Sequence, residues 1–196
     1  MALPCLRVLF PEEKSESEMT KVFVSGCYDI LHGGHVQFFR DARALGDHLT
    51  VCFASDATIR AYKGREPAMP QEHRRAVLEA CRYVDAVVMG DDKPAEAAWV
   101  DFWEPLKLSN ADILAVTADD SNADEKRALL WQARPELEAR LVVLPKTCDL
   151  PPLSTTDIRE RIVDWTHCKA YRVGDVMAEG DISETIIAAG TCEEKA

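Results

Sequence analysis

The chain has 196 residues, 47% of them hydrophobic, enough for one core of ordinary domain size. Its 34 acidic residues against 23 basic ones give a formal net charge of −11. That balance excludes a surface built for nucleic acid or anionic membrane, since both bind through clustered Lys and Arg, and any anionic ligand has to meet a locally basic pocket.

Residues 1–20 lack a long apolar stretch and carry the polar, acidic run 11–20, which predicts a flexible lead-in, with the domain spanning 21–168. Lys21-Val22-Phe23-Val24 has the apolar, β-branched and aromatic character of a buried strand. Val36 to Leu45 then has helical spacing ended by Gly46. A second apolar run, Leu49 to Ala54, is followed by a loop holding Lys63-Gly64-Arg65-Glu66-Pro67 and by a helix over 71–82. Strands are predicted at 84–89, 113–116 and 141–144, with helical patterning over 95–108 and 124–131 between them. Pro151-Pro152-Leu153-Ser154-Thr155-Thr156 announces a last helix from Ile158, with a hydroxyl residue as N-cap. Residues 169–196 read as a C-terminal extension or partner contact. Alternating strands and helices predict an α/β fold, a Rossmann-like doubly wound parallel sheet of five strands with helices on both faces. Nowhere do about 18 apolar residues run together. The seven scattered cysteines, without a C-x-x-C pair, fit reduced thiols, and the expected setting is soluble and cytoplasmic.

In such a fold ligands bind beyond the carboxyl ends of the strands, so the loops there are the places to look for chemistry. The first, Ser25-Gly26-Cys27-Tyr28-Asp29-Ile30-Leu31-His32-Gly33-Gly34-His35, sets two histidines around a glycine pair where a helix begins. Free backbone N–H groups and the helix dipole attract an anion at that point. The second, Ala61-Tyr62-Lys63-Gly64-Arg65, places two cations around a glycine. The third, Ser154-Thr155-Thr156, offers hydroxyls and amides to phosphate, and Arg74, Arg75 and Lys146 add charge. No zinc site is read here, because His48, His73 and His167 lack ligand spacing to the first pair. Cys27 reads as a packed residue, and Trp99, Phe102 and Trp103 as the buried face of a helix. A Rossmann dehydrogenase would need G-x-G-x-x-G after the first strand, and the motif is absent.

Taken in order, Gly26 to His35, Ala44-Leu45-Gly46-Asp47, Lys63 to Pro67, Tyr83-Val84-Asp85 and Leu153 to Asp157 resemble the cytidylyltransferase family across roughly residues 21–165. The wording around Gly-Cys-Tyr-Asp is most similar to its glycerol-3-phosphate, phosphoethanolamine and phosphocholine members. The resemblance implies transfer of a cytidylyl group from CTP to a small phosphate or phosphonate monoester by in-line displacement, releasing pyrophosphate. The alternative is an adenylyltransferase using ATP, of heptose-phosphate or flavin type, and a nucleotide-sensing module without turnover is the rival of another class. By the same resemblance His32, His35 and Lys63 are catalytic. The nucleotide is bound by Gly26, Cys27, Tyr28, Asp29, Gly34, Arg74, Asp119, Lys146, Ser154, Thr155 and Thr156. Magnesium arrives on the triphosphate rather than on protein ligands, and a homodimer is expected. Two segments depart from the family pattern. Thr117 to Asn122, matching the family's nucleoside-facing loop, keeps Asp119 but lacks the usual glycine, and Lys146 stands where arginine is usual, keeping the charge without the bidentate fork.

Overall fold

The computed structural model describes residues 15, 18–93, 95–133, 140–146 and 149–163. The expected extension at 169–196, and most of the lead-in, lie outside the described residues. Two compact units are distinguished, Met1–Pro152 and Leu153–Ala196.

The first unit contains a five-stranded sheet in the order β3-β2-β1-β4-β5, every neighbouring pair parallel. Its strands are β1 (Lys21–Gly26), β2 (His48–Phe53), β3 (Ala86–Met89), β4 (Ile113–Thr117) and β5 (Arg140–Leu144). Between them run α1 (Gly33–Arg43), α2 (Asp56–Lys63), α3 (Gln71–Glu79), a 3-10 turn (Ala95–Val100), α4 (Trp103–Ser109) and α5 (Ala123–Ala133). Alternation along the strands builds two cores. Val22, Val24, Leu49, Val51, Phe53, Ile113 and Ala115 pack with Phe39 and Ala42 of α1 and Leu78 of α3. Phe23, Cys52, Leu114 and Val116 face the other way, against Leu106 of α4 and Leu130 of α5. Where a strand is buried on both faces it has to be apolar, as Val22-Phe23-Val24 of β1 is, and each such Val or Phe contributes about 1.5–3 kcal/mol.

The amino ends of the strands are fastened by carboxylates. Asp47, just before β2, accepts from the Thr20 N–H at 3.0 Å, Asp85 from Leu49 at 2.7 Å, and Asp112 from Lys21 at 2.8 Å. The edge N–H groups of β1 and β2 are satisfied there without water. At Gly46 a Cβ would stand 2.5 Å from the Thr20 carbonyl oxygen, so the helix-to-strand turn closes only around glycine.

Three elements differ from the sequence expectation. The segment expected as a loop around Lys63 is the last turn of α2, capped by Ser55, whose Oγ accepts from the Thr58 N–H, and ended by Gly64 at φ 64°. The single helix expected over 95–108 is divided into the 3-10 turn and α4, with the buried Asp101-Phe102 pair at the joint. The first helix begins at Gly33 rather than Val36, which puts His35 inside its opening turn. No helix among the described residues is long and apolar enough to cross a membrane.

Candidate active site

Beyond the sheet's carboxyl edge, the β1–α1 loop is shaped by two of its own side chains. Tyr28 takes the left-handed conformation, φ 46°, and turns its ring back over Gly26, where a Cβ would lie 3.0 Å from Cζ. Its edge meets the rings of His35 and Phe39, and its buried hydroxyl has no hydrogen-bond partner among the described residues. Asp29, 3% exposed, accepts from the Arg65 guanidinium at 2.8 Å and from the Ala68 N–H at 2.6 Å, tying this loop to the segment after α2. Cys27 sits between, its thiol pushed up by burial while the charge of Lys63 opposes the shift, so it is a neutral packed group beside the lysine.

At the start of α1 the two histidines replace the hydroxyl residue that usually caps a helix. His32 is the N-cap, its Nδ1 accepting from the Gly34 N–H at 3.2 Å, and His35 Nδ1 accepts from the His32 N–H at 3.4 Å. A neutral imidazole that accepts at Nδ1 carries its hydrogen at Nε2, so the reciprocal cap selects the tautomer in which each ring presents an N–H donor away from the helix. The rings lie against one another, centroids 3.9 Å apart. Burial, with His32 and the charge of Lys146 working the same way, pushes His35 down to about 3. The ring is therefore uncharged at neutral pH in the ligand-free protein.

Lys63 ends α2, its Nζ 4.3 Å from the centroid of the Tyr62 ring, and the Tyr62 hydroxyl accepts from Asn122 Nδ2 at 3.3 Å. Arg74, expected to contact phosphate, is placed differently. It is 1% exposed, and its guanidinium donates to the carbonyls of Met69, Cys27 and Ala54 and to Asp56 at 2.6–3.1 Å. Four of its five N–H groups are thus spent, two on the loops after β1 and β2, one on the first residue of α2 and one on the segment before α3, which makes it a positioning residue for all of them. Sequence showed an arginine in a helix near other cations but not which way its side chain runs.

The loop after β4 carries Asp119, which is ion-paired with Lys146 from the segment after β5. Burial alone would raise Asp119, but hydrogen bonds from Lys146 and Thr117 and the lysine charge hold it below the usual carboxylate range. Both residues had been expected to face the nucleotide; here they also bridge the ends of adjacent strands. Of three further groups, Lys126 and Asp101 had no sequence signal, whereas Arg65 was read as one of the two cations around Gly64. Lys126 of α5, 6% exposed, joins Asp120 at 2.7 Å and lies 3.5 Å from Ser25 Oγ. Asp101, driven up to about 6 by burial against the pull of Lys126, lies where a Cβ on Gly90 would clash. Arg65 is the partner of Asp29. Among the described residues, no three His, Cys, Asp or Glu side chains gather as metal ligands.

In the second unit, Ser154 opens helical residues 155–163: its Oγ accepts from the Asp157 N–H at 3.1 Å while Asp157 accepts from its N–H at 2.7 Å. Thr155 and Thr156 occupy the first turn, next to the amides that a helix start leaves for an anion.

A family model for cytidylyltransferase-like proteins matches residues 23–161. The chain belongs to this family. It is 38% identical over 145 residues to the FAD synthase of Pyrococcus horikoshii, covering 74% of this chain and 93% of that one. With the FAD synthase of Thermococcus kodakarensis it shares 35% over 159 residues, 81% of this chain and 99% of the relative. Among solved structures, the lipopolysaccharide core biosynthesis protein of Thermoplasma volcanium superposes with a TM-score of 0.52 at 25% identity, over 65% of this chain and 95% of that one. The cytidylyltransferase-like chain is accordingly a nucleotidyltransferase, with its histidine cap and Lys63 at the edge where the fold binds ligands.

Proposed function

We propose that the chain is an adenylyltransferase of FAD-synthase type, joining the adenylyl group of ATP to the phosphate of FMN and releasing pyrophosphate. The observation that carries the base and the acceptor is the similarity to archaeal FAD synthases over nearly their whole length. It favours the adenylyl alternative over the cytidylyl reading drawn from the Gly-Cys-Tyr-Asp wording. The presence of both histidines and Lys63 supports turnover over a purely sensing role.

In this reading an oxygen of the acceptor phosphate attacks the α-phosphorus of ATP, and the bond to the β-phosphate oxygen breaks on the opposite side. Little covalent work is asked of the protein; positioning and charge stabilisation do most of it. The Nε2–H groups of His32 and His35 donate to oxygens that gain charge as pyrophosphate departs. Lys63 holds the phosphates together, while Asp29 and Arg74 keep the loops on either side in place. The family resemblance assigns phosphate-binding hydroxyls to Thr155 and Thr156 at the helix start of the second unit. Imidazole N–H and ammonium groups suit phosphate oxygens and not a bare cation. Magnesium therefore fits this donor set as a passenger on the triphosphate, where it neutralises charge.

The test is to incubate the protein with FMN, magnesium and either ATP or CTP, following FAD by its weaker fluorescence and pyrophosphate by a coupled assay. ATP is expected to yield both products and CTP neither. Protection from thermal unfolding by CTP but not ATP, with no pyrophosphate from ATP and FMN, would overturn the adenylyl assignment.

A further inference from the structure

Lys63 and the nucleoside loop stand on opposite sides of β1. Lys63 ends the helix that follows β2, Asn122 lies in the loop that follows β4, and β1 runs between those strands. They meet across its carboxyl end, where Asn122 Nδ2 donates to the Tyr62 hydroxyl and the Tyr62 ring carries the Lys63 ammonium at 4.3 Å. Asn122 is itself held from below. Its N–H donates to Asp120 Oδ1 at 2.9 Å, the other oxygen of Asp120 accepts from the buried Lys126 at 2.7 Å, and Lys126 reaches Ser25 of β1. A continuous run of contacts therefore leads from the core strand through the nucleoside loop to the platform under Lys63.

We propose that Tyr62 and Asn122 are positioning residues, their hydrogen bond fixing the aromatic face from which Lys63 meets phosphate. A lysine has four rotatable bonds and loses much rotamer freedom when ordered, so an ammonium needs a platform to arrive in one place. The ring supplies it through its negative face, and Asn122 keeps the ring from swinging. The bond joins a residue 38% exposed to one only partly buried. It contributes little to the fold, and its effect falls on orientation. The same bond couples the loop expected to meet the nucleoside to the lysine expected to meet the phosphates. The inference rests on Lys63 binding phosphate, and not on the identity of base or acceptor.

Magnesium tripolyphosphate, which has neither base nor acceptor, is the probe, its affinity measured by calorimetry on the full chain. Tyr62→Phe keeps the ring and removes only the hydroxyl. It and Asn122→Ala are each expected to weaken affinity about tenfold, on the scale of misplacing one charged contact, and the double variant no further. Unfolding midpoints without ligand should match the parent. On a Lys63→Ala background Tyr62→Phe should have no further effect. Parent-like affinity for Tyr62→Phe, or a full further loss on the Lys63→Ala background, overturns the proposal while leaving Lys63 as a phosphate ligand. Unchanged affinity for Lys63→Ala alone removes the phosphate role and the proposal with it. Phosphate binding as described, without FAD formation, counts against the FMN reading alone.

Discussion

The two edges of the sheet use polar side chains in opposite ways. At the amino edge Asp47, Asp85 and Asp112 are spent on backbone N–H groups of neighbouring strands, and each holds one strand end to the next. At the carboxyl edge the histidines bond the helix start through Nδ1, and Lys63 lies against an aromatic ring. The motif blocks shared with the family divide along this line. Gly46-Asp47 and Val84-Asp85 fasten the sheet, whereas Gly26 to His35 and Lys63 carry the donors proposed here for phosphate. Shared wording therefore does not by itself mark a catalytic residue.

Arg74 offers the hardest test, because it stands at the carboxyl edge yet acts as a fastener. Arg74→Ala should cost about 3–5 kcal/mol in urea unfolding, the range for stripping one partner from a buried ion pair; a variant with parent stability and lost phosphate affinity would return it to the ligand-binding set. His35→Ala should lower kcat by about 10²–10³, as for loss of one donor to a developing anion, with a far smaller change in melting. Equal losses of both would erase the distinction between the edges. Asp85→Ala should cost about 1.5 kcal/mol of stability through its charge-assisted bond to Leu49, with kcat per folded molecule unchanged.

A pH series tests the comparison from another side. His35, folded near 3 against an ordinary 6.5, binds its proton more readily when unfolded, so its contribution to ligand-free stability is complete above about 6.5 and is lost as pH falls toward 3. Asp101, folded near 6 against 3.8, acts in the opposite sense: its contribution is complete below about 3.8 and is lost as pH rises through 6. Melting curves from pH 4 to 8 should show His35→Asn removing the rise and Asp101→Asn removing the fall. A profile untouched by either change would contradict both environments.

The parallel sheet was legible because strands buried on both faces leave unbroken apolar runs, and the first loop because glycines and histidines cluster at a strand end. The α2 helix was not. Its eight residues are bounded by Ser55 and Gly64, a start and a stop that are readable in hindsight, but Lys63-Gly64-Arg65 drew the segment toward a loop. Asp101 and Lys126 left no trace, since burial of a lone charged residue is decided by tertiary contacts. The bond between Tyr62 and Asn122, far apart in the chain, depends on strand order and not on local pattern.

One close approach bears on how this loop can change over time. A Cβ on Gly33, the first of the two glycines between the histidines, would stand 2.5 Å from Cδ1 of Leu150, whose side chain, from the segment after β5, rests on it. Because Leu150 is 48% exposed and meets the loop only through the tip of its side chain, a bulkier residue at 33 displaces that tip, and the two positions are best varied together in any library of the histidine loop.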